Sequence, residues 1–125
     1  LVTMCTPCIL VDKFLEKNVV VLGSGGSSRI VTAVLHGIIY LTKYGCSIED
    51  AVRSPRVHVQ DNLYHMEIDS RTNKTIEQCR EKYLGVLREF SGANMYFGGL
   101  NVTGIWNNKI SGFGDTRRSA YSIVV

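Results

Sequence analysis

The segment Val19-Val20-Val21-Leu22-Gly23-Ser24-Gly25-Gly26-Ser27-Ser28-Arg29 constrains the fold of this chain more than any other. A β-branched apolar run predicts a strand, and the glycine and serine cluster after it predicts a flexible turn. From Arg29 to Tyr44 the pattern is helical: Ile30, Val34, Ile38 and Leu41 recur at helical spacing, with Val31, Leu35 and Ile39 as a second stripe beside them. Apolar residues on both stripes predict a helix largely buried against a sheet, with Gly45 as its C-terminal stop. A strand, glycine loop and helix in succession expose backbone N–H groups, to which the helix adds its unsatisfied first donors and the positive end of its dipole. Such a loop suits a phosphate, a carboxylate or a transient oxyanion, or it is a tight turn with no ligand.

Nucleotide-binding loops fit this segment poorly. Gly23-x-Gly25 matches the start of a dinucleotide fingerprint, but Ser28 holds the third glycine position and the next segment is helical rather than a second parallel strand. No Gly-Lys-Ser/Thr follows, which excludes a P-loop. The net charge of +3 is small and the basic residues alternate with acids, so no nucleic-acid stripe forms. The longest apolar stretch, Ile30 to Leu41, is interrupted by Thr32, His36 and Gly37, and falls short of the roughly 20 residues that span a bilayer. At 45% hydrophobic and 20% charged, the composition is that of a globular unit.

The remaining elements follow from local signals. Ile9 to Val11 and Val19 to Leu22 predict two short strands joined by the polar stretch Asp12 to Asn18. Ser47-Ile48-Glu49-Asp50 resembles a capping box opening a short helix that ends before Pro55. Val57 to Gln60 and Tyr64 to Ile68 predict strands around a turn at Asp61-Asn62. A second capping box, Thr75-Ile76-Glu77-Gln78, predicts a helix running to about Phe90. Leu100 to Asn107 predicts an alternating strand, Asn107-Asn108 a turn, and Ile110 to Gly112 and Ser119 to Val125 the last strands. No internal repeat or linker interrupts residues 1–125, which form one α+β unit with a mainly antiparallel sheet.

Of the four cysteines, Cys5 and Cys8 form a lone C-x-x-C, and Cys46 and Cys79 stand apart. A structural zinc site needs a second ligand pair, and His36, His58 and His65 supply none at short spacing, so no metal or other cofactor is expected and the thiols are taken as partly buried. The sequons at Asn73 and Asn101 would permit glycosylation in a secreted chain without fixing the compartment. The first residue is Leu1, so the N-terminus is expected to arise by processing or truncation, with any targeting signal upstream.

Four blocks taken in order carry a resemblance. Leu1-Val2-Thr3-Met4-Cys5-Thr6-Pro7 is similar to a Leu-Ser-Ser-Met-x-Pro segment, and Gly23 to Ile30 to a Gly-Ser-Pro-Gly-Gly-Ser-Arg-Ile loop. Ala51 to His58 matches Ala-Val-x-x-Pro-Arg-x-His, and Gly114-Asp115-Thr116-Arg117-Arg118 resembles Gly-Asp-Pro-Arg-Arg. Together they resemble the γ-glutamyltranspeptidases, of the layered αββα N-terminal-nucleophile hydrolase fold, and cover nearly the whole chain.

The resemblance implies a chemistry. In that family an N-terminal threonine of the small subunit attacks the γ-glutamyl amide of glutathione and related compounds, using its own α-amino group as base. The γ-glutamyl-enzyme then passes to water or an acceptor amine. Residues 1–125 resemble the C-terminal part of the small subunit, downstream of that threonine. The expected partners are therefore a γ-glutamyl compound, the rest of the small subunit and the large subunit, in an extracellular, cell-surface or periplasmic setting. The family's Ser-Ser pair, which helps hold the glutamyl α-carboxylate, corresponds to Val2 and Thr3; Thr3 keeps a hydroxyl and Val2 has none. Its oxyanion-binding Gly-Gly pair corresponds to Gly26 and Ser27, or to Gly25 and Gly26 if the loop slides by one. Serine still donates its N–H but is strained wherever φ must be positive, and losing one oxyanion donor costs about 100- to 1,000-fold in rate. A non-catalytic homologue acting as a binding or interaction module is the alternative. Arg56 and His58 are expected to fix a helix-to-strand junction, Arg117 and Arg118 to pair locally with Asp115, and Tyr96, Phe97 and Trp106 to be core or sheet-face aromatics.

Overall fold

The computed structural model describes residues 7–13, 17–70, 72, 77–78, 81–82 and 86–122. In chain order the elements are β1 (Cys8–Val11), β2 (Val19–Gly25), α1 (Ile30–Thr42), α2 (Ile48–Arg53), β3 (Val57–Gln60), β4 (Leu63–Ile68), β5 (Val86–Ser91), β6 (Gly99–Trp106) and β7 (Lys109–Phe113). They form a four-stranded antiparallel sheet in the order β1-β2-β6-β7 and a three-stranded sheet in the order β3-β4-β5. Only the β4–β5 pairing among the described strands is parallel.

Alternation along β2 decides which face of the larger sheet is covered. Val20 and Leu22 point to one side with Leu100 and Val102 of β6, where all four are buried under Val34 and Leu41 of α1 and Ile48, Ala51 and Val52 of α2. Each such side chain stabilises the fold by about 1.5–3 kcal/mol when fully buried. Gly37 lets α1 sit close, because a Cβ there would lie 2.7 Å from a Leu100 methyl. The opposite face carries Val11, Val19, Ile105 and Ile110, cross-strand neighbours in register, and Ile9 opposite Val21. All six are exposed, an apolar stripe across the four strands.

Local chemistry sets the ends of the elements. The Ser47 hydroxyl accepts from the Asp50 N–H at 3.1 Å, the N-cap bond expected for α2, and donates to the Asp50 carboxylate at 2.7 Å. Asp61-Asn62 and Asn107-Asn108 both take positive φ, which matches the right-handed twist of the hairpins they close. Asn18 ties the far end of the sheet by accepting from the Asn107 N–H at 2.8 Å.

Three sequence expectations are corrected. The second apolar stripe of α1 is not covered: Val31 and Leu35 are exposed, and the buried residues are Ile30, Ala33, Val34, Gly37 and Leu41. The helix expected to reach Phe90 does not: Glu77, Gln78, Glu81 and Lys82 are helical, but residues 86–91 form β5, parallel to β4. Arg88 and Glu89 look like an exposed helix surface in sequence, yet they lie between the half-buried Leu87 and Phe90 on a strand. Thr75 and Ile76 lie outside the described residues. The strand expected from Ser119 is a turn instead, with Ser119 at φ 53 and the Ser119 and Ala120 N–H groups donating back to Thr116 and Asp115; residues 123–125 lie outside the described set.

Candidate functional site

β2 ends at Gly25, which pairs with Gly99 of β6. The chain then turns at Gly26 (φ 135, ψ 27) and Ser27 (φ 56), and a single 3₁₀ turn, Ser27–Arg29, feeds α1. Positive φ therefore falls on Gly26 and Ser27, while Gly25 stays in the strand. The Arg29 N–H donates to the Gly26 carbonyl at 3.2 Å. The N–H groups of Gly26 and Ser27 have no acceptor among the described residues, and Ser27 is exposed. A serine in the left-handed region costs about 1–2 kcal/mol relative to an ordinary conformation. Val2 and Thr3 lie outside the described residues.

A second glycine turn supports this one from behind. Asn94 caps the 3₁₀ turn Met95–Phe97, and Gly98 follows at φ 76. A Cβ on Gly26 would lie 2.7 Å from the Gly98 Cα, and a Cβ on Gly98 would lie 2.7 Å from the Gly25 carbonyl oxygen and 3.3 Å from the Ser24 hydroxyl. The two backbones touch with no room for a side chain between them. The stem of Arg118 lies across Gly99, and its guanidinium reaches towards Gly26.

Below that turn lies a lattice of four buried charges. Arg56, Glu67, Asp115 and Arg117 are all buried. Arg56 pairs with Asp115, and Arg117 pairs with both Glu67 and Asp115. The remaining donors and acceptors are spent on backbone. Arg56 donates to the carbonyls of Phe97 (3.2 Å), Gly98 (3.4 Å) and Val52 (3.3 Å), and Arg117 to those of Val52 (2.9 Å) and Ser54 (3.0 Å). Asp115 accepts from the Leu100 N–H at 2.9 Å, and Glu67 from the N–H groups of Arg56 (3.0 Å) and Asn94 (2.8 Å). Burial and the nearby Arg117 charge lower the Arg56 pKa against the pull of Asp115. For Arg117, burial acts downward, but the Glu67 carboxylate outweighs it and the pKa rises. The expected local pair of Arg117 with Asp115 forms, at 3.2 Å; Glu67, distant in sequence, is a second partner, and burial makes so close a pairing necessary. Arg56 does hold the α2-to-β3 junction, but it also reaches the Gly98 turn. The sequence signal for Glu67 is an acid between the apolar residues Met66 and Ile68 of a strand.

A histidine and aromatic cluster flanks the loop. His58 and His65 face each other across β3 and β4, with ring centroids 6.2 Å apart. His58 Nδ1 lies 2.8 Å from the Thr32 hydroxyl of α1. His65 packs on Tyr96, and Arg29 lies 4.1 Å above the same Tyr96 ring. Burial lowers the pKa of both histidines, and the Arg29 charge adds to it. Phe97 is core, as expected; Tyr96 and Trp106 are half-buried. Among the described residues no group of three or more His, Cys, Asp or Glu side chains is placed to hold a metal ion. Cys8 and Cys46 are free, half-buried thiols, and no described helix is long and apolar enough to cross a membrane.

Two layers of helix and antiparallel-rich sheet define an α+β molecule, and its fold is that of solved N-terminal-nucleophile hydrolases. It superposes on the γ-glutamyltranspeptidase of Pseudomonas nitroreducens complexed with L-DON with a TM-score of 0.72 at 20% identity, covering 97% of this chain and 62% of that one. On the transpeptidase CapD of Bacillus anthracis the TM-score is 0.73 at 21% identity, covering 97% of this chain and 70% of that one. The family model for gamma-glutamyltranspeptidase matches residues 1–125. A glutathione hydrolase proenzyme of Pseudomonas sp. (strain A14) is 31% identical over 110 residues, 82% of this chain. Glutathione hydrolase proenzyme 1 of Schizosaccharomyces pombe (strain 972 / ATCC 24843) is 34% identical over 100 residues, 80% of this chain. The chain belongs to the γ-glutamyltranspeptidase family. It spans 19% and 16% of the length of those two relatives.

Proposed function

We propose that the chain is the C-terminal part of the small subunit of a γ-glutamyl hydrolase or transferase, acting on glutathione and related γ-glutamyl amides. In this reading Gly26 and Ser27 supply the backbone N–H donors to the oxyanion, Gly25 stays in the strand, and Thr3 with Val2 borders the glutamyl pocket. The nucleophilic threonine comes from the segment upstream, and the exposed apolar face of the β1-β2-β6-β7 sheet is where the rest of the enzyme packs. One observation carries the reading: two successive residues with positive φ leave two N–H groups without acceptors among the described residues, at the start of α1. Donors fixed in this way need no reorganisation as charge develops on a carbonyl oxygen. Ser27 at φ 56, where the family has glycine, favours a second reading, a homologue that binds γ-glutamyl compounds without turning them over.

The test is hydrolysis of a chromogenic γ-glutamyl anilide. Residues 1–125 alone are expected to be inactive, and the full-length chain with its threonine active. Binding of the anilide without turnover supports the second reading. Turnover by residues 1–125 alone, abolished by Thr3→Ala or Ser27→Ala, would refute the assignment of the nucleophile.

A further inference from the structure

We propose that the Gly98 turn, clamped by Arg56, is the positioning element of the Gly26–Ser27 loop; its catalytic consequence rests on the oxyanion reading of that loop. A loop rich in glycine and serine has no intrinsic reason to hold one conformation, and no side-chain bond caps its 3₁₀ turn. What it does have is a rigid backing. Gly98 presses its Cα against Gly26 and faces the Gly25 carbonyl, both at distances that exclude even a methyl group. Gly98 is itself held, because Arg56 Nη1 donates to the carbonyls of Phe97 and Gly98 while Nη2 is locked on Asp115 and Val52. Asp115 also takes the Leu100 N–H, so both ends of the turn are tied to one buried carboxylate and guanidinium pair. Arg56 touches no reacting atom in this scheme; it acts through the Gly98 carbonyl.

The test uses the full-length chain with Gly98→Ala, Arg56→Lys and the control Gly45→Ala. Gly45 also has positive φ, at 64, but has nothing within 4 Å of a Cβ and sits past the far end of α1. It carries the backbone cost of the alanine without touching the loop. Gly98→Ala should lower kcat by about 10- to 100-fold with KM changed by less than about threefold, a partial loss of oxyanion stabilisation. Amide exchange at Arg29, whose N–H is bonded to the Gly26 carbonyl, should quicken by roughly tenfold in the same variant. Arg56→Lys keeps the charge at Asp115 but loses the fork to Phe97 and Gly98, and should shift both readouts in the same direction. Gly45→Ala should lower the melting temperature and change neither. Exchange and kcat in Gly98→Ala equal to those of Gly45→Ala would overturn the proposal, whether or not Arg56→Lys folds. An inactive unmodified chain would instead refute the enzymatic reading, and the exchange comparison would still decide the positioning role.

Discussion

Replacing Arg117 with methionine tests the buried lattice directly. The substitution keeps much of the stem's volume but removes the bonds from Nε and Nη2 to Glu67, from Nη1 to Asp115, and to the carbonyls of Val52 and Ser54. Val52 keeps Arg56 as a donor, and Glu67 keeps the Arg56 and Asn94 N–H groups, so neither is bare. Glu67, at 1% exposure, nevertheless loses its cation where water does not reach it. Removing one partner of a buried pair costs about 3–5 kcal/mol, a large part of the roughly 5–15 kcal/mol that holds a domain together. For a chain of this length each kcal/mol lowers the melting temperature by about 4 °C, so a fall of about 12–20 °C is expected. Urea and thermal unfolding followed by circular dichroism, on the smallest soluble form of the protein, read it. Adding Glu67→Gln to Arg117→Met should recover about 1–3 kcal/mol, because the isolated charge is gone. Raising salt should leave the single-variant loss nearly unchanged, since buried pairs are little screened. A loss below about 1 kcal/mol, or full additivity of the two substitutions, would refute the claim that these charges are dry and coupled.

Two further outcomes are expected. His36 has its pKa lowered to about 4 from 6.5, chiefly by burial and then by the Arg56 charge, and its Nδ1 is buried without a partner among the described residues. The native state therefore prefers the neutral ring: the stability is complete above pH 6.5 and is lost as pH falls towards 4. About 2 kcal/mol should disappear between pH 7.5 and pH 5, and His36→Leu should remove that slope; an unchanged slope in the variant would place the titration elsewhere. At Ser27, glycine should be as stable as serine or gain up to about 1 kcal/mol, since relief of strain is partly offset by a freer unfolded chain. Ser27→Val should lose more than about 1 kcal/mol, because branched side chains fit positive φ worst. Equal stability of the glycine and valine variants would show that the turn is not held at φ 56.

Local signals made most of the elements legible. The alternation of Val19 to Leu22, the helical spacing after Arg29 and the N-cap at Ser47 each act through neighbours within a few residues, so sequence alone locates them. The loop position was legible for the same reason, since glycines between strand and helix are a local statement. β5 was not, because charged residues suit an exposed strand and an exposed helix equally, and only the parallel pairing with β4 selects one.

The sequence by itself determined where this chain turns, which faces of its strands and helices are apolar, and which family its ordered blocks match. It left open which loop residues turn, because Gly25 and Gly26 are chemically identical in one dimension; Gly25 pairs with Gly99, and positive φ falls on Gly26 and Ser27. Only the tertiary structure joined Arg56, Glu67, Asp115 and Arg117, and set Gly98 against Gly26. The physical reason is that a buried charge must find its counter-charge wherever the fold brings one, at any distance along the chain. Steric contact between two glycines likewise leaves no periodicity or spacing to read, and exists only once two remote turns share the same space.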